Sequence, residues 1–268
     1  MKTALFRWPW WRPLNTPITD WRGKRVWLLG ASSGIGAALA QELLARGAKV
    51  ALSARNAQAL QELAARWPQQ ALALPFDVAG GDWVAAREEL AKTFGGLDLV
   101  VFNAAQYAPE RSWELDAGRA AHTLQVNLTS VYQGLSAILP LLLAQGQGGV
   151  ALVASVAGYV GLPQASVYGP GKAALINLAE ILYNDLHRRG LDVYLINPGF
   201  VKTALTDKND FPMPCLQTPQ QAALAILQGF AHGAFEIHFP RRFSTVVKCL
   251  RLLPWRWRFA LFARLMKV

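Results

Sequence analysis

RVWLLGASSGIG, residues 25–36, joins an apolar run of strand length to a glycine-rich turn, and the turn opens directly into a helical pattern over about residues 35–46. Glycines at such a turn let backbone N–H groups approach a pyrophosphate lying on the positive end of the following helix. Gly30, Ser32, Ser33, Gly34, Ile35 and Gly36 are therefore candidate cofactor-binding residues. Two other readings compete. A glycine-rich turn also closes a strand-to-helix unit that binds nothing. Gly30, Ser32 and Gly34 further match G-x-S-x-G, the nucleophile elbow of α/β-hydrolases. That motif needs a later acid and histidine, and none of His122, His187, His232 or His238 stands in a suitable context.

Outward from this unit, apolar runs of strand length alternate with longer helical patterns, as in a parallel sheet covered by helices on both faces. Strands are expected at 25–30, 49–54, 71–76, 97–102, 150–155, 191–196 and 235–239, with long helices over about 117–144 and 165–189. The fold class is α/β, a doubly wound parallel sheet of Rossmann type with about seven strands in a single domain. The segment 204–220, ALTDKNDFPMPCLQTPQ, reads as a long loop, and loops of that length in a compact domain are usually functional.

The chain of 268 residues is 53% hydrophobic and only 16% charged, which excludes intrinsic disorder. Its net charge of +10 sits at the ends: of 27 basic residues, three fall within the first 12 residues and eight within the last 29, which carry no carboxylate. The body between is close to neutral, which argues against a nucleic-acid partner. Cys215 and Cys249 form no metal-ligand spacing, so no metal site is expected, and two isolated cysteines fit a reducing, cytoplasmic compartment. No uninterrupted apolar window reaches the length of a membrane span, and MKTALFRWPWWRP is too broken for a signal peptide.

The chemistry gathers further along. Tyr168 and Lys172 in YGPGK stand four residues apart, on one face of a helix. A lysine cation near a phenol lowers the phenol pKa, as a general acid/base for a carbonyl or alcohol requires. Ser155, 13 residues earlier at the end of an expected buried strand, offers a hydroxyl for a substrate oxygen. Pro170 is tolerated chiefly in a first helical turn, so this helix should begin near Tyr168.

With these motifs in order, the chain resembles the short-chain dehydrogenases/reductases over roughly residues 23–240. The resemblance implies that Tyr168 protonates the carbonyl oxygen as hydride arrives, or takes the proton in reverse. Lys172 would bind the cofactor ribose and depress the Tyr168 pKa, Ser155 would orient the substrate oxygen, and Asn127 would hold a water in a proton relay. It also implies that Asp77 and Val78 meet the adenine, that Asn103 lies beside the cofactor, and that Pro198, Gly199 and Thr203 lie under the nicotinamide. The family's N-N-A-G reads FNAA here, Phe102–Ala105, which adds a methyl near the cofactor. A protein that keeps the fold without turnover is the alternative, and the intact Ser155, Tyr168 and Lys172 set argues against it.

The end of the second strand, LSARN, carries no carboxylate for a ribose 2′-hydroxyl, whereas Arg55 suits a 2′-phosphate. NADP(H) is favoured over NAD(H). Residues 1–22 and 241–268 read as basic extensions. In the second, Trp255, Phe259, Phe262, Leu265 and Met266 share one helical face, with Arg256, Arg264 and Lys267 opposite. Phe243–Leu253 forms a similar arc, and Trp8, Trp10 and Trp11 cluster between Arg7 and Arg12. Two destinations fit: an anionic membrane surface on the cytoplasmic side, or packing on the enzyme itself or a second copy. A homodimer or homotetramer is expected, with a small lipophilic carbonyl or alcohol as substrate, its pocket lined by Phe211, Met213 and Leu216 of the long loop.

Overall fold

The computed structural model describes residues 12–209 and 211–266. Strands β1 (Arg25–Leu29), β2 (Lys49–Ser53), β3 (Ala71–Ala73), β4 (Leu99–Phe102), β5 (Gly148–Val153), β6 (Leu191–Pro198) and β7 (Glu236–Phe239) pair in parallel in the order β3-β2-β1-β4-β5-β6-β7. Order reverses beside β1, which opens a crevice at the carboxyl ends of β1 and β4.

Nine helices flank this sheet among the described residues: α1 (Gly34–Ala45), α2 (Ala57–Ala64), α3 (Trp83–Phe94), α4 (Ala117–Leu124), α5 (Ser130–Gln145), α6 (Tyr168–Leu186), α7 (Pro219–Ala231), α8 (Arg241–Cys249) and α9 (Trp255–Met266). Strands covered on both faces must be apolar at every position. In β1, Val26 and Leu28 face a core with Leu39 and Leu43 of α1 and Phe230 of α7. Trp27 and Leu29 face the opposite core, with Leu90 of α3, Ile138 of α5 and Leu175 of α6. The Trp27 indole donates to the Ser53 hydroxyl at 2.9 Å, and Ser53 donates onward to the Leu74 carbonyl at 2.8 Å, so this buried pair is satisfied.

Several expectations shift. The strand expected at 150–155 is β5, two residues earlier, which leaves Ser155 beyond the strand end. The helix expected over 117–144 divides into α4 and α5 around a π-helical turn, Gln125–Thr129. By length and apolarity the stretch Ala117–Gln145 would suit a membrane span, yet Leu135, Ile138 and Leu142 are buried in the core, as in a core helix. α2, α3 and α7 had no counterpart in the sequence reading.

The described part of the N-terminal segment is not a detached extension. The Asn15 side chain donates to the Val193 carbonyl at 2.8 Å and accepts from the Val193 N–H at 3.1 Å, while buried Trp21 meets Phe230 edge-on at 5.7 Å. Lys2, Arg7, Trp8, Trp10 and Trp11 lie outside the described residues, as does Lys267.

α8 packs on the body, burying Ser244 and Val247 and placing Phe243 and Leu250 against the core. α9 departs from the expected single apolar face. Phe262 turns inward and Arg258 is buried, its guanidinium 3.9 Å from the Trp255 ring centroid, whereas Trp255 and Phe259 are exposed. The cation covers an aromatic face with its charge and stem together, and this rotates the expected arc.

Candidate active site

At the carboxyl ends of the strands lies a cleft of about 380 Å³. Its walls take in the turn after β1 (Gly30, Ser32, Ser33, Gly34, Ile35), then Arg55, Asp77, Val78, Asn103, Ser155, Tyr168, Lys172, Pro198, Gly199 and Thr203. Of the candidate catalytic and cofactor-binding residues from sequence, all but Gly36 and Asn127 line it.

The glycine turn is sterically closed to side chains. A Cβ on Gly36 would stand 1.9 Å from the Gly30 carbonyl oxygen, and one on Gly30, at φ +85°, would stand 2.7 Å from the Ala104 nitrogen. Gly36 therefore works beneath the turn, letting α1 meet it. Asn103 pins the turn from below, its Nδ2 donating to the Gly30 carbonyl at 3.0 Å. Ser33 precedes α1 without capping it through its side chain, and the first turn of α1 holds no acidic residue. Its N–H groups and the positive helix end thus face the cleft uncompensated, an arrangement that fits a phosphate.

At the other end, Ser155 sits just past β5, and its Oγ accepts from the Ala157 N–H at 3.1 Å at the head of a short 3₁₀ turn, Val156–Gly158. Tyr168 is the first residue of α6, with Pro170 in the first turn, as the chemistry of proline requires. Lys172 follows one turn later, 2% exposed, its Nζ donating to the Val153 carbonyl at 2.7 Å. Gly158 sets the helix position: a Cβ there would stand 2.8 Å from the backbone at Lys172 and Ala173.

Burial dominates the electrostatics of this pair. Burial pushes the Tyr168 phenol up to about 12, partly offset by a hydrogen bond with the Ser155 hydroxyl. Burial likewise pushes Lys172 down to about 7. Lys172 is held on the Val153 carbonyl, with its ammonium 5.5 Å from the Tyr168 ring centroid. At neutral pH the phenol is protonated.

Asn127, expected to hold a relay water, is fixed in place by two bonds to backbone. Placed by the π turn, its carboxamide accepts from the Gln106 N–H and donates to the Gln106 carbonyl, both at 2.7 Å, tying the segment after β4 to the helix. The loop expectation changes too. Phe211 packs on Phe200 at 6.0 Å, the Met213 sulfur accepts from Asn209 at 3.3 Å, and Leu216 is exposed; none lines the cleft. The loop contributes Ala204, Leu205 and Thr206 instead, next to Val201 and Thr203 that precede it. No histidine lines the cleft beside Ser32, so the hydrolase reading has no base there.

Sequence reasoning missed Tyr107. Its ring meets Tyr168 edge-on at 4.9 Å, its hydroxyl donates to Asn209 at 2.8 Å, and its carbonyl accepts from Lys208 at 2.9 Å. It clasps the loop over the phenol. No local motif marks it, since its partners lie about a hundred residues away.

A family model described as short chain dehydrogenase matches residues 24–212. An uncharacterized oxidoreductase of Myxococcus xanthus is 35% identical over 231 residues, covering 84% of this chain and 90% of that protein. An uncharacterized oxidoreductase of Staphylococcus aureus is 32% identical over 214 residues, covering 79% and 91%. Among solved structures, a short chain dehydrogenase/reductase from Burkholderia phymatum in complex with NAD superposes with a TM-score of 0.80 at 24% identity, over 88% of this chain and 95% of that one. A short-chain dehydrogenase from Streptomyces avermitilis gives 0.78 at 23% identity, over 91% and 98%.

Proposed function

Because the chain belongs to the short-chain dehydrogenase family, we propose that it interconverts a ketone or aldehyde and an alcohol with NADP(H), using Tyr168 as the proton-transferring group. One observation carries this reading: Tyr168, one turn before buried Lys172, opens together with Ser155 on the same cleft as the uncapped start of α1.

The cofactor, when bound, supplies or accepts the hydride. The chain's own residues do the rest. The turn Gly30–Gly36 would hold the pyrophosphate, Asp77 and Val78 the adenine, Lys172 the ribose, and Pro198, Gly199 and Thr203 the nicotinamide end. Ser53 is committed to Trp27 and Leu74, so selection at the ribose falls to exposed Arg55, whose guanidinium suits a 2′-phosphate. Ser155 orients the substrate oxygen. Tyr168 would donate its proton to that oxygen in the reducing direction or take it in the reverse one. The protonated fraction of Lys172 then stabilises the phenolate left behind.

Ala104, Ala105, Val126 and Leu205 make much of the cleft wall apolar, which supports a lipophilic substrate. Leu252, Trp255, Trp257 and Phe259 are exposed beside exposed Arg251 and Arg256, which supports attachment to an anionic membrane surface. Full-length protein should float with vesicles containing anionic lipid and not with neutral ones, and Trp255→Ser, Trp257→Ser and Phe259→Ser together should abolish flotation. Equal flotation of the triple variant would remove α9 as the anchor.

The catalytic reading is tested by following NADPH oxidation against a panel of apolar aldehydes and ketones. Tyr168→Phe should lose on the order of 100-fold or more in kcat with NADPH affinity unchanged. Undiminished turnover by Tyr168→Phe would overturn it.

A further inference from the structure

Glu236 on β7 gathers donors from three separate elements onto one carboxylate. Its Oε1 accepts from the Tyr159 hydroxyl at 2.6 Å and from Asn197 Nδ2 at 3.0 Å, and its Oε2 accepts from Lys248 Nζ of α8. Tyr159 ends the 3₁₀ turn that Ser155 caps, its own N–H donating to the Val156 carbonyl at 3.1 Å. Asn197 immediately precedes Pro198 and Gly199, which line the cleft, and the Pro198 carbonyl lies 3.5 Å from the Ser155 hydroxyl. The carboxylate therefore stands behind two cleft walls and ties each to β7.

A carboxylate in this position needs a counter-ion. Its side chain is 18% exposed, and burial alone would raise its pKa; the donors Lys248 and Tyr159 bring it below the ordinary value instead. Lys248 also lies 5.8 Å from the Tyr159 ring centroid, so one ammonium serves two members of the group. A second bond fixes the start of the same helix, between His238 Nδ1 and the Ser244 hydroxyl at 2.7 Å.

We propose that Glu236 is a positioning residue for Ser155 and for the Pro198–Gly199 segment, and that Lys248 completes it, so that α8 is a working part of the cleft. The inference rests on the oxidoreductase reading for the word working; the coupling itself does not. Removing the Lys248 ammonium leaves Glu236 underneutralised, loosens its hold on Tyr159 and Asn197, and lets the Ser155 turn move relative to Tyr168. The glycine turn is at the other end of the cleft and is untouched.

The experiment compares full-length Lys248→Met, Lys248→Arg and Tyr159→Phe with wild type. Without cofactor, hydrogen exchange at the amides of Ala157, Gly158, Tyr159 and Gly199 should quicken about tenfold in Lys248→Met, with the amides of α1 unchanged and Lys248→Arg close to wild type. With NADPH and a reducible carbonyl compound, Lys248→Met and Tyr159→Phe should each lose about tenfold in kcat with NADPH affinity unaltered, and Lys248→Arg should recover most of it. Unchanged exchange at those four amides, or uniform acceleration across the sheet, would overturn the coupling. Coupled exchange with an unaltered kcat would overturn the positioning role. Should wild type reduce no carbonyl compound, the redox reading fails by itself, and the exchange comparison still decides whether Lys248 and Glu236 hold the two walls.

Discussion

At one end of the cleft the backbone leaves no room for a methyl group, while at the other the side chains set the geometry and each is held by a residue far away in the chain. The Gly30–Gly36 end is closed by its own turn and by Asn103 beneath it. At the Tyr168 end, Tyr107 reaches the loop, Asn127 reaches Gln106, and Lys172 reaches the Val153 carbonyl. Binding thus depends on backbone sterics and proton transfer on side-chain burial, so substitutions at the two ends should fail in different measurements.

The largest effect is expected from Gly36→Ala. Its Cβ would lie 1.9 Å from the Gly30 carbonyl oxygen and 2.6 Å from Asn103 Nδ2, neither of which can yield without opening the turn. NADPH affinity, measured by fluorescence titration, should fall on the order of 100-fold, while circular dichroism keeps its helical signal. Normal affinity would break the steric half of the comparison.

Lys172 tests the burial half through stability. Its folded pKa of about 7 lies well below the ordinary lysine value of 10.5. Between those values the unfolded chain binds a proton that the folded protein has released, so stability rises with pH across that window and the penalty is complete below it. Wild-type Tm should therefore climb from about pH 7 to about pH 9 relative to Lys172→Met. Parallel Tm curves would show that the amine is not desolvated.

Arg55→Asp should have a smaller and more selective effect. A charge-assisted contact to a phosphate is worth roughly 1.5–3 kcal/mol, so NADPH affinity should fall roughly 10- to 100-fold while NADH affinity holds or rises. Equal losses for both would place selection elsewhere than Arg55.

The sheet, the glycine turn and the alignment of Ser155, Tyr168 and Lys172 were legible because each rests on local periodicity or fixed spacing. Some local signals went unread although present. Asp82 caps α3 by accepting from the Val84 and Ala85 N–H groups, and Thr218, Pro219 and Gln221 form a capping box at α7. Other features have no local mark. Glu236 is one acidic residue in FEIHF until folding brings Asn197 and Tyr159 to it, 39 and 77 residues away. The spacing of Tyr168 and Lys172 was legible, but the burial that shifts both groups was not, because desolvation depends on what surrounds them. On α9, helical periodicity puts Arg258 inside the apolar arc, where it is buried against Trp255, but does not anticipate that Trp255 and Phe259 stay exposed.

The comparison also separates the two C-terminal helices, which share a basic amphipathic pattern. α8 is spent on the fold through Val247 and the Lys248–Glu236 pair, whereas α9 keeps Trp255, Trp257 and Phe259 at the surface. Charge pattern alone does not tell which of two such helices buries its apolar face and which leaves it at the surface.

The most direct measurement uses NADPH deuterated at the nicotinamide carbon that gives hydride, with an apolar ketone turned over by the wild-type protein. The account predicts one deuterium on the carbinol carbon of each alcohol formed, and no labelled alcohol above background from Tyr168→Phe despite bound NADPH. Alcohol without deuterium, or equal labelled product from Tyr168→Phe, would contradict it.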